Sequence, residues 1–181
     1  MRMLVNREAP ASLPFDLAAV KLHMRVDGAE EDAAITNMGR TAAAEFEQLA
    51  QVALLTQTVQ LTIIAPEGGS LLSLPIGPAQ VENVPAVAID GVAFTDFDFI
   101  GGGHPLIIWG DSYADLSPEL IVVEYQSGFG AAASDIPAEI AQAIMDQAAL
   151  HYDGRSPMDA ESLTSSPHMA RAAARYRGVQ L

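Results

Sequence analysis

Leu13, Leu17, Val20 and Met24 recur at helical spacing, which predicts a first helix running from a cap at Asp16 to about Val26, with Lys21 and Arg25 one turn apart on another face. Asp27-Gly28 ends it. The acidic run Glu30-Glu31-Asp32 opens a second helix, because carboxylates are favoured where the helix dipole presents its positive end. Its apolar stripe, Ile35, Met38, Ala42, Phe46, Leu49 and Ala53, covers about 22 residues, or roughly 33 Å at ~1.5 Å per residue. Two helices joined by a short turn make an N-terminal hairpin.

From Leu55 the period drops to two. Val59, Leu61 and Ile63 alternate with Thr58, Gln60 and Thr62, the signature of a half-buried strand, which Pro66 and Glu67-Gly68-Gly69 terminate. Leu71 to Leu74 is a second strand stopped by Pro75 and Pro78. Val81 to Ile89 is a third, interrupted by Pro85. Asp90-Gly91 is a hairpin signal that returns the chain through Val92 to Phe99. Leu106 to Trp109 and Leu120 to Tyr125 complete a central antiparallel sheet of five or six short strands.

A third helix begins near Pro137, whose fixed φ suits a first turn, with Asp135 and Glu139 supplying N-terminal charge. Ile136, Ile140, Ile144, Ala148 and His151 form its stripe, widened by Met145 and Tyr152, and that face must pack on something. Gly154 closes it, Ser156-Pro157 and Ser165-Ser166-Pro167 flank a loop, and His168 to Arg177 form a short basic terminal helix. The expected fold class is α+β: helical hairpin, antiparallel sheet, C-terminal helix and terminal helix. The expected organisation is one domain over residues 1–155 and a C-terminal docking segment over 156–181.

At 181 residues the chain is long enough to bury roughly two-thirds of its unfolded surface and to hold a core without staples. It has no cysteine, which excludes a disulfide framework, a thiolate zinc site and a cysteine nucleophile. No signal-peptide pattern opens it, and no run approaches the ~20 apolar residues of a membrane span.

Charge changes the picture more. Between Arg40 and Arg155 there is no lysine or arginine, yet fifteen acids fall there. Duplex binding depends on cations that neutralise phosphates, so this interval does not grip nucleic acid. Four of the nine basic residues, Arg155, Arg171, Arg175 and Arg177, lie in the last 27 positions. A small cationic tail thus follows an acidic body with a formal net charge of -14. Such a tail is either a solvated helix end favoured by the dipole or a docking segment for an acidic partner.

Chemistry is sparse. His23, His104, His151 and His168 include no pair at the i, i+4 spacing of a zinc helix, and His151 reads as a helix-face residue with its ring partly in the core. Asp96 and Asp98 alternate with Phe94, Phe97 and Phe99, which in a strand sets both carboxylates on one face; a solvated strand face or a divalent-cation site both satisfy that pattern. Gly101-Gly102-Gly103-His104 lacks the lysine and helix that a phosphate loop requires. Gly128-Phe129-Gly130 precedes a helix, but acids crowd its start. Ser127 belongs to no nucleophile elbow. No catalytic residue, metal ligand or cofactor is assigned.

In order, these motifs resemble a family. Lys21-Leu22-His23-Met24-Arg25-Val26-Asp27 with Glu31-Asp32 and Ile35 resembles the N-terminal signature of tailed-phage head–tail connectors, the head-completion adaptors. Ala53-Leu54-Leu55-Thr56-Gln57-Thr58 resembles the family's run into its first strand, and Leu74-Pro75, Pro78 and Val84 its proline-marked strands. Tyr125 with Gly128-Phe129-Gly130, Ile136-Pro137, Ile140 and His151-Tyr152 resembles the last strand, glycine turn and third helix, and Arg175-Tyr176-Arg177 the closing element. Ala19 departs from a common cap glutamate. Ala50-Gln51-Val52 replaces a glycine-arginine turn, which is expected to lengthen the second helix, and Gly101 to Pro118 matches nothing residue by residue.

What the resemblance implies is a structural role and no enzyme: a homo-oligomeric ring, twelve subunits in most relatives, in the virion neck. It would be assembled in the bacterial host cytoplasm, with the portal protein on one side and a tail-side completion protein on the other, in a phage, prophage or gene transfer agent. DNA passes through without being specifically bound. Arg171, Arg175, Tyr176 and Arg177 are the expected portal-binding residues. Copies this acidic repel, so isolated protein is expected to be monomeric at low salt and to assemble on its portal. Two alternatives stand beside this reading: another virion or tail-completion structural protein, and a small metal-binding enzyme using Asp96, Asp98 and a histidine.

Overall fold

The computed structural model describes residues 1–8, 10–154 and 165–178. The chain divides into two compact units, Met1–Pro10 with Thr56–Gly128, and Ala11–Leu55 with Phe129–Leu181. The expected boundary at 155/156 lies outside the described residues.

The second unit is helical: α1 (Leu17–Met24), α2 (Asp32–Ala50), α3 (Ala138–Asp153) and α4 (Pro167–Tyr176). Asp16 caps α1 by accepting from the Ala18 N–H at 2.9 Å. The helix ends two residues earlier than its apolar spacing predicts, because Arg25 adopts a left-handed φ of 57°. Nor does α2 lengthen through Val52. Gln51 turns left-handed at φ 56°, and Glu47 Oε1 accepts from the Leu54 N–H at 2.8 Å, so the chain leaves the helix after Ala50.

The buried face of α2 is Ile35, Gly39, Ala42, Ala43, Phe46 and Ala50, with Leu49 left exposed. Small residues thus carry more of the contact face than the large-residue stripe predicts. Gly39 shows why: a Cβ there would lie 2.5 Å from the Phe15 ring, so only glycine admits Phe15 against the helix. On α3, Ile140, Ala143, Ile144 and Ala148 complete the core with Val20, Leu54 and Leu55.

Among the described residues the first unit holds eight strands in two sheets. One has the order β1 (Arg2–Arg7), β2 (Gln57–Ile64), β8 (Leu120–Ser127), β4 (Ala86–Ile89), β5 (Val92–Phe94); the other runs β3 (Leu71–Ser73), β7 (Leu106–Trp109), β6 (Phe97–Ile100). All pairings are antiparallel. Val59, Leu61 and Ile63 stand opposite Tyr125, Val123 and Ile121, and all six are buried.

The first unit also differs from the sequence reading, which expected one sheet of five or six strands. The N-terminal β1 is a strand where none was predicted. Val81 to Pro85 is not part of β4, and Val92 to Phe99 is not one strand: the chain breaks at Thr95-Asp96 and changes sheets. Gly101 to Gly103, unplaced by sequence, meets the Ala79 segment closely. The Gly102 N–H donates to Ala79 O at 2.7 Å, and a Cβ at Gly101 would lie 2.7 Å from that same oxygen. Glycine serves backbone contact here, not phosphate.

Candidate docking surface

Ser166 starts α4. Its hydroxyl accepts from the Met169 N–H at 3.0 Å, and Pro167 follows it in the first turn, where proline costs no hydrogen bond. Apolar spacing then buries Met169, Ala172 and Ala173 in the helical core and leaves Arg171, Ala174 and Arg175 outside. This is a strongly two-sided helix. Its inner face stabilises the unit, and its outer face is cationic.

Polar contacts fix the helix at both ends. The buried Gln147 of α3 accepts from the Ser166 N–H at 2.7 Å. His168 Nδ1 meets Asp146 Oδ2 at 2.7 Å, while His23 Nε2 from α1 meets Asp146 Oδ1 at 3.1 Å, so one carboxylate joins three helices. At the far end Tyr176 donates to Glu139 Oε1 at 2.7 Å and Arg175 to Glu139 Oε2 at 2.6 Å. The Tyr176 ring meets Phe129 and Phe46 edge-on, with centroids 5.8 and 6.3 Å away.

Those contacts set the ionisation of the pair. The Tyr176 hydrogen bond, aided by Arg175 and opposed by partial desolvation, holds the Glu139 carboxyl below its ordinary range. Burial, then the neighbouring Glu139, pushes the Tyr176 hydroxyl up to about 12.

The four residues singled out from sequence therefore divide. Arg171, Arg175 and Arg177 are exposed; Arg175 is ion-paired to Glu139, and Arg171 and Arg177 form no ion pair among the described residues. Tyr176 is half-buried and turned to Glu139 and the aromatic rings. What sequence reasoning missed is the anchoring set of Glu139, Asp146 and Gln147, spaced along α3. The only signal was their position on the α3 helix.

The other candidate chemistry resolves structurally. Asp96 sits in the turn before β6 and accepts from the Ser112 N–H at 3.0 Å and its hydroxyl at 2.5 Å, which lowers its carboxyl from the ordinary value. It holds the start of a 3₁₀ turn over Asp111–Asp115, and Asp98 lies in β6, so the two do not share one strand face. His151 Nε2 meets Glu45 at 3.1 Å, and His104 is an exposed loop residue. A cavity of about 560 Å³ in the sheet unit is lined by Trp109 and Tyr113, stacked at 4.5 Å, with Gly68, Gly69 and Leu116. Asp111 and Tyr113 are its ionisable residues, and burial raises the Tyr113 hydroxyl above its ordinary value; the pair does not make a nucleophile and base. Among the described residues no helix is long and apolar enough to cross a membrane.

Among the described residues, α4 is docked by its apolar face and turns Arg171 and Arg175 outward. No protein-family model and no curated protein matches it. Its fold is that of a component of gene transfer agent particles. A chain from the neck of the empty particle, with C6 symmetry, is 25% identical over 98% of this chain and 97% of its own, at a TM-score of 0.75. A chain of the native virion gives 24% identity and a TM-score of 0.80, and one from the native neck with C12 symmetry 22% and 0.74, both over the same shares of the two chains. These likenesses agree with the head–tail connector resemblance.

Proposed function

We propose that this chain is a structural head–tail connector of a phage-like particle, a non-enzymatic ring subunit of the neck between portal and tail. The observation that carries this is end-to-end likeness to a gene transfer agent neck component at 25% identity. The symmetric necks of the similar structures support a ring, with twelve copies favoured by the C12 case. Its assembly in the bacterial cytoplasm, and a tail-side completion protein as second neighbour, belong to the same reading.

The 156–181 segment is the portal-docking element in this reading. Arg171 and Arg177 offer exposed cations to an acidic portal surface, Arg175 exchanges Glu139 for a portal acid, and Tyr176 sets the helix that presents them. The interval without lysine or arginine has a use as well, since a channel wall without cations does not hold passing duplex DNA by counterion release.

Co-expression with the portal protein tests this. The full chain is expected to co-purify with it, and truncation after Pro157 to abolish the interaction. A full chain that never associates with the portal contradicts the proposal.

A further inference from the structure

The five-stranded sheet ends in two open edges, β1 and β5. Edge strands of lone proteins are usually guarded by lysines, prolines or inward charges, because an unpaired row of N–H and C=O groups templates pairing with another chain. Here β1 carries charge only at its two ends, Arg2 and Arg7, β5 is three residues long, and neither strand contains a lysine or a proline. Met3, Leu4 and Val5 are 40%, 45% and 43% exposed, so β1 shows apolar side chains on both faces, and Val92 on β5 is 70% exposed. Met3 and Val5 lie in register with Ile63 and Leu61, and Val92 with Ile89, so the buried rows of the sheet run out to solvent at both margins.

Charge distinguishes the edges. Both side-chain cations of this unit, Arg2 and Arg7, lie on β1, while the exposed acids Asp90 and Asp96 bracket β5. A two-fold β1–β1 contact would set Arg2 opposite Arg7, and a two-fold β5–β5 contact would set Asp90 opposite Asp96. Like charges directly opposed are destabilising. A β1–β5 contact instead joins the cationic margin to the acidic one.

Direction agrees. Because each neighbouring pair is antiparallel and the sheet has five strands, β1 and β5 run the same way. Copies around a ring of about twelve differ by roughly 30°, which preserves strand direction and makes the new pair parallel. A contact between two different patches of the same chain is heterologous, the kind that closes into a ring rather than stopping at a dimer.

We infer that the β1 edge of one copy pairs with the β5 edge of the next, so that the five-stranded sheet continues from subunit to subunit. This rests on the ring proposed above and assigns its contact surface. The absence of native cysteine makes a clean test. Four double variants combine Leu4→Cys or Val5→Cys with Val92→Cys or Ala93→Cys, covering both faces, and a short bismaleimide is added to the assembled ring, free or on its portal.

Denaturing gels are expected to show a ladder from dimer to the full ring for at least one double variant, and monomer for every single variant. Rings seen by native mass spectrometry that yield no ladder from any double variant overturn the inference and leave the ring reading intact. Dimers from Val5→Cys alone overturn it in favour of a two-fold contact. Absence of any ring, with or without portal, removes both. As a second readout, Val92→Asp is expected to abolish the ring with an unchanged melting temperature, since Val92 is solvent-exposed in the single chain. A Val92→Asp ring of wild-type stability counts against the contact.

Discussion

Tyr176 donates its hydroxyl to Glu139 Oε1 at 2.7 Å, while its chain neighbour Arg175 holds the other oxygen of that carboxylate at 2.6 Å. One acid on α3 therefore secures the end of α4 through a buried-side tyrosine and an exposed arginine. The pair makes the attachment of α4 sensitive to pH in both directions.

Glu139 ionises below its ordinary 4.5 in the folded chain, so its contribution is present above that pH and is lost as pH falls through and below it. Tyr176 is raised from 10.0 to about 12, so its contribution is complete below pH 10 and is lost as pH rises toward 12. Tyr125 is also raised to about 12, mainly by burial. Tyrosinate absorbance is expected to include late-ionising steps above pH 10.0 from Tyr125 and Tyr176, with the Tyr176 step removed by Tyr176→Phe. Full ionisation of all four tyrosines near pH 10 without unfolding contradicts this.

Core and surface apolar residues of the helical unit are expected to respond very differently. Phe46 is fully buried between α2 and the Tyr176 ring, so Phe46→Ala is expected to cost about 3–5 kcal/mol in urea unfolding. Leu22 is 80% exposed on α1, and Leu22→Ala is expected to change stability by no more than about 0.5 kcal/mol. Equal effects at the two sites would refute the assigned core.

In the sheet unit, the buried Tyr125 hydroxyl accepts from the Ile76 N–H and donates to the Ile76 carbonyl, both at 3.1 Å. Tyr125→Phe keeps the ring and orphans two backbone groups, an expected loss of about 1–3 kcal/mol. Chemical denaturation of the variant measures it, and a neutral result means that water satisfies Ile76.

Local signals were readable where they were complete within a few residues. The alternation of Val59, Leu61 and Ile63, the Asp90-Gly91 hairpin, the Asp16 cap and the proline before α3 each specify structure through neighbours in the chain. β1 was not legible because Met3-Leu4-Val5 has no alternation: it is an edge strand exposed on both faces. The split at Thr95-Asp96 depends on Ser112, sixteen residues beyond Asp96, and the division into two sheets depends on pairings still farther apart. At the candidate docking surface, the cationic residues could be read from sequence. The inward turn of Tyr176 could not, since Glu139, Phe129 and Phe46 lie 37 or more positions away.

Charge reversal separates docking from folding. Arg171→Glu with Arg177→Glu alters two exposed positions that form no ion pair among the described residues, so stability is expected to stay within about 0.5 kcal/mol per site. Portal co-purification is expected to fall at least tenfold, because two attractive contacts become repulsive. Undiminished portal binding removes these residues from the docking surface.

Electron microscopy of particles made without this chain shows whether it is a neck connector. A neck connector joins head to tail, so separate heads and free tails are expected, restored to complete particles when the chain is supplied in trans. Complete tailed particles in its absence would contradict that role.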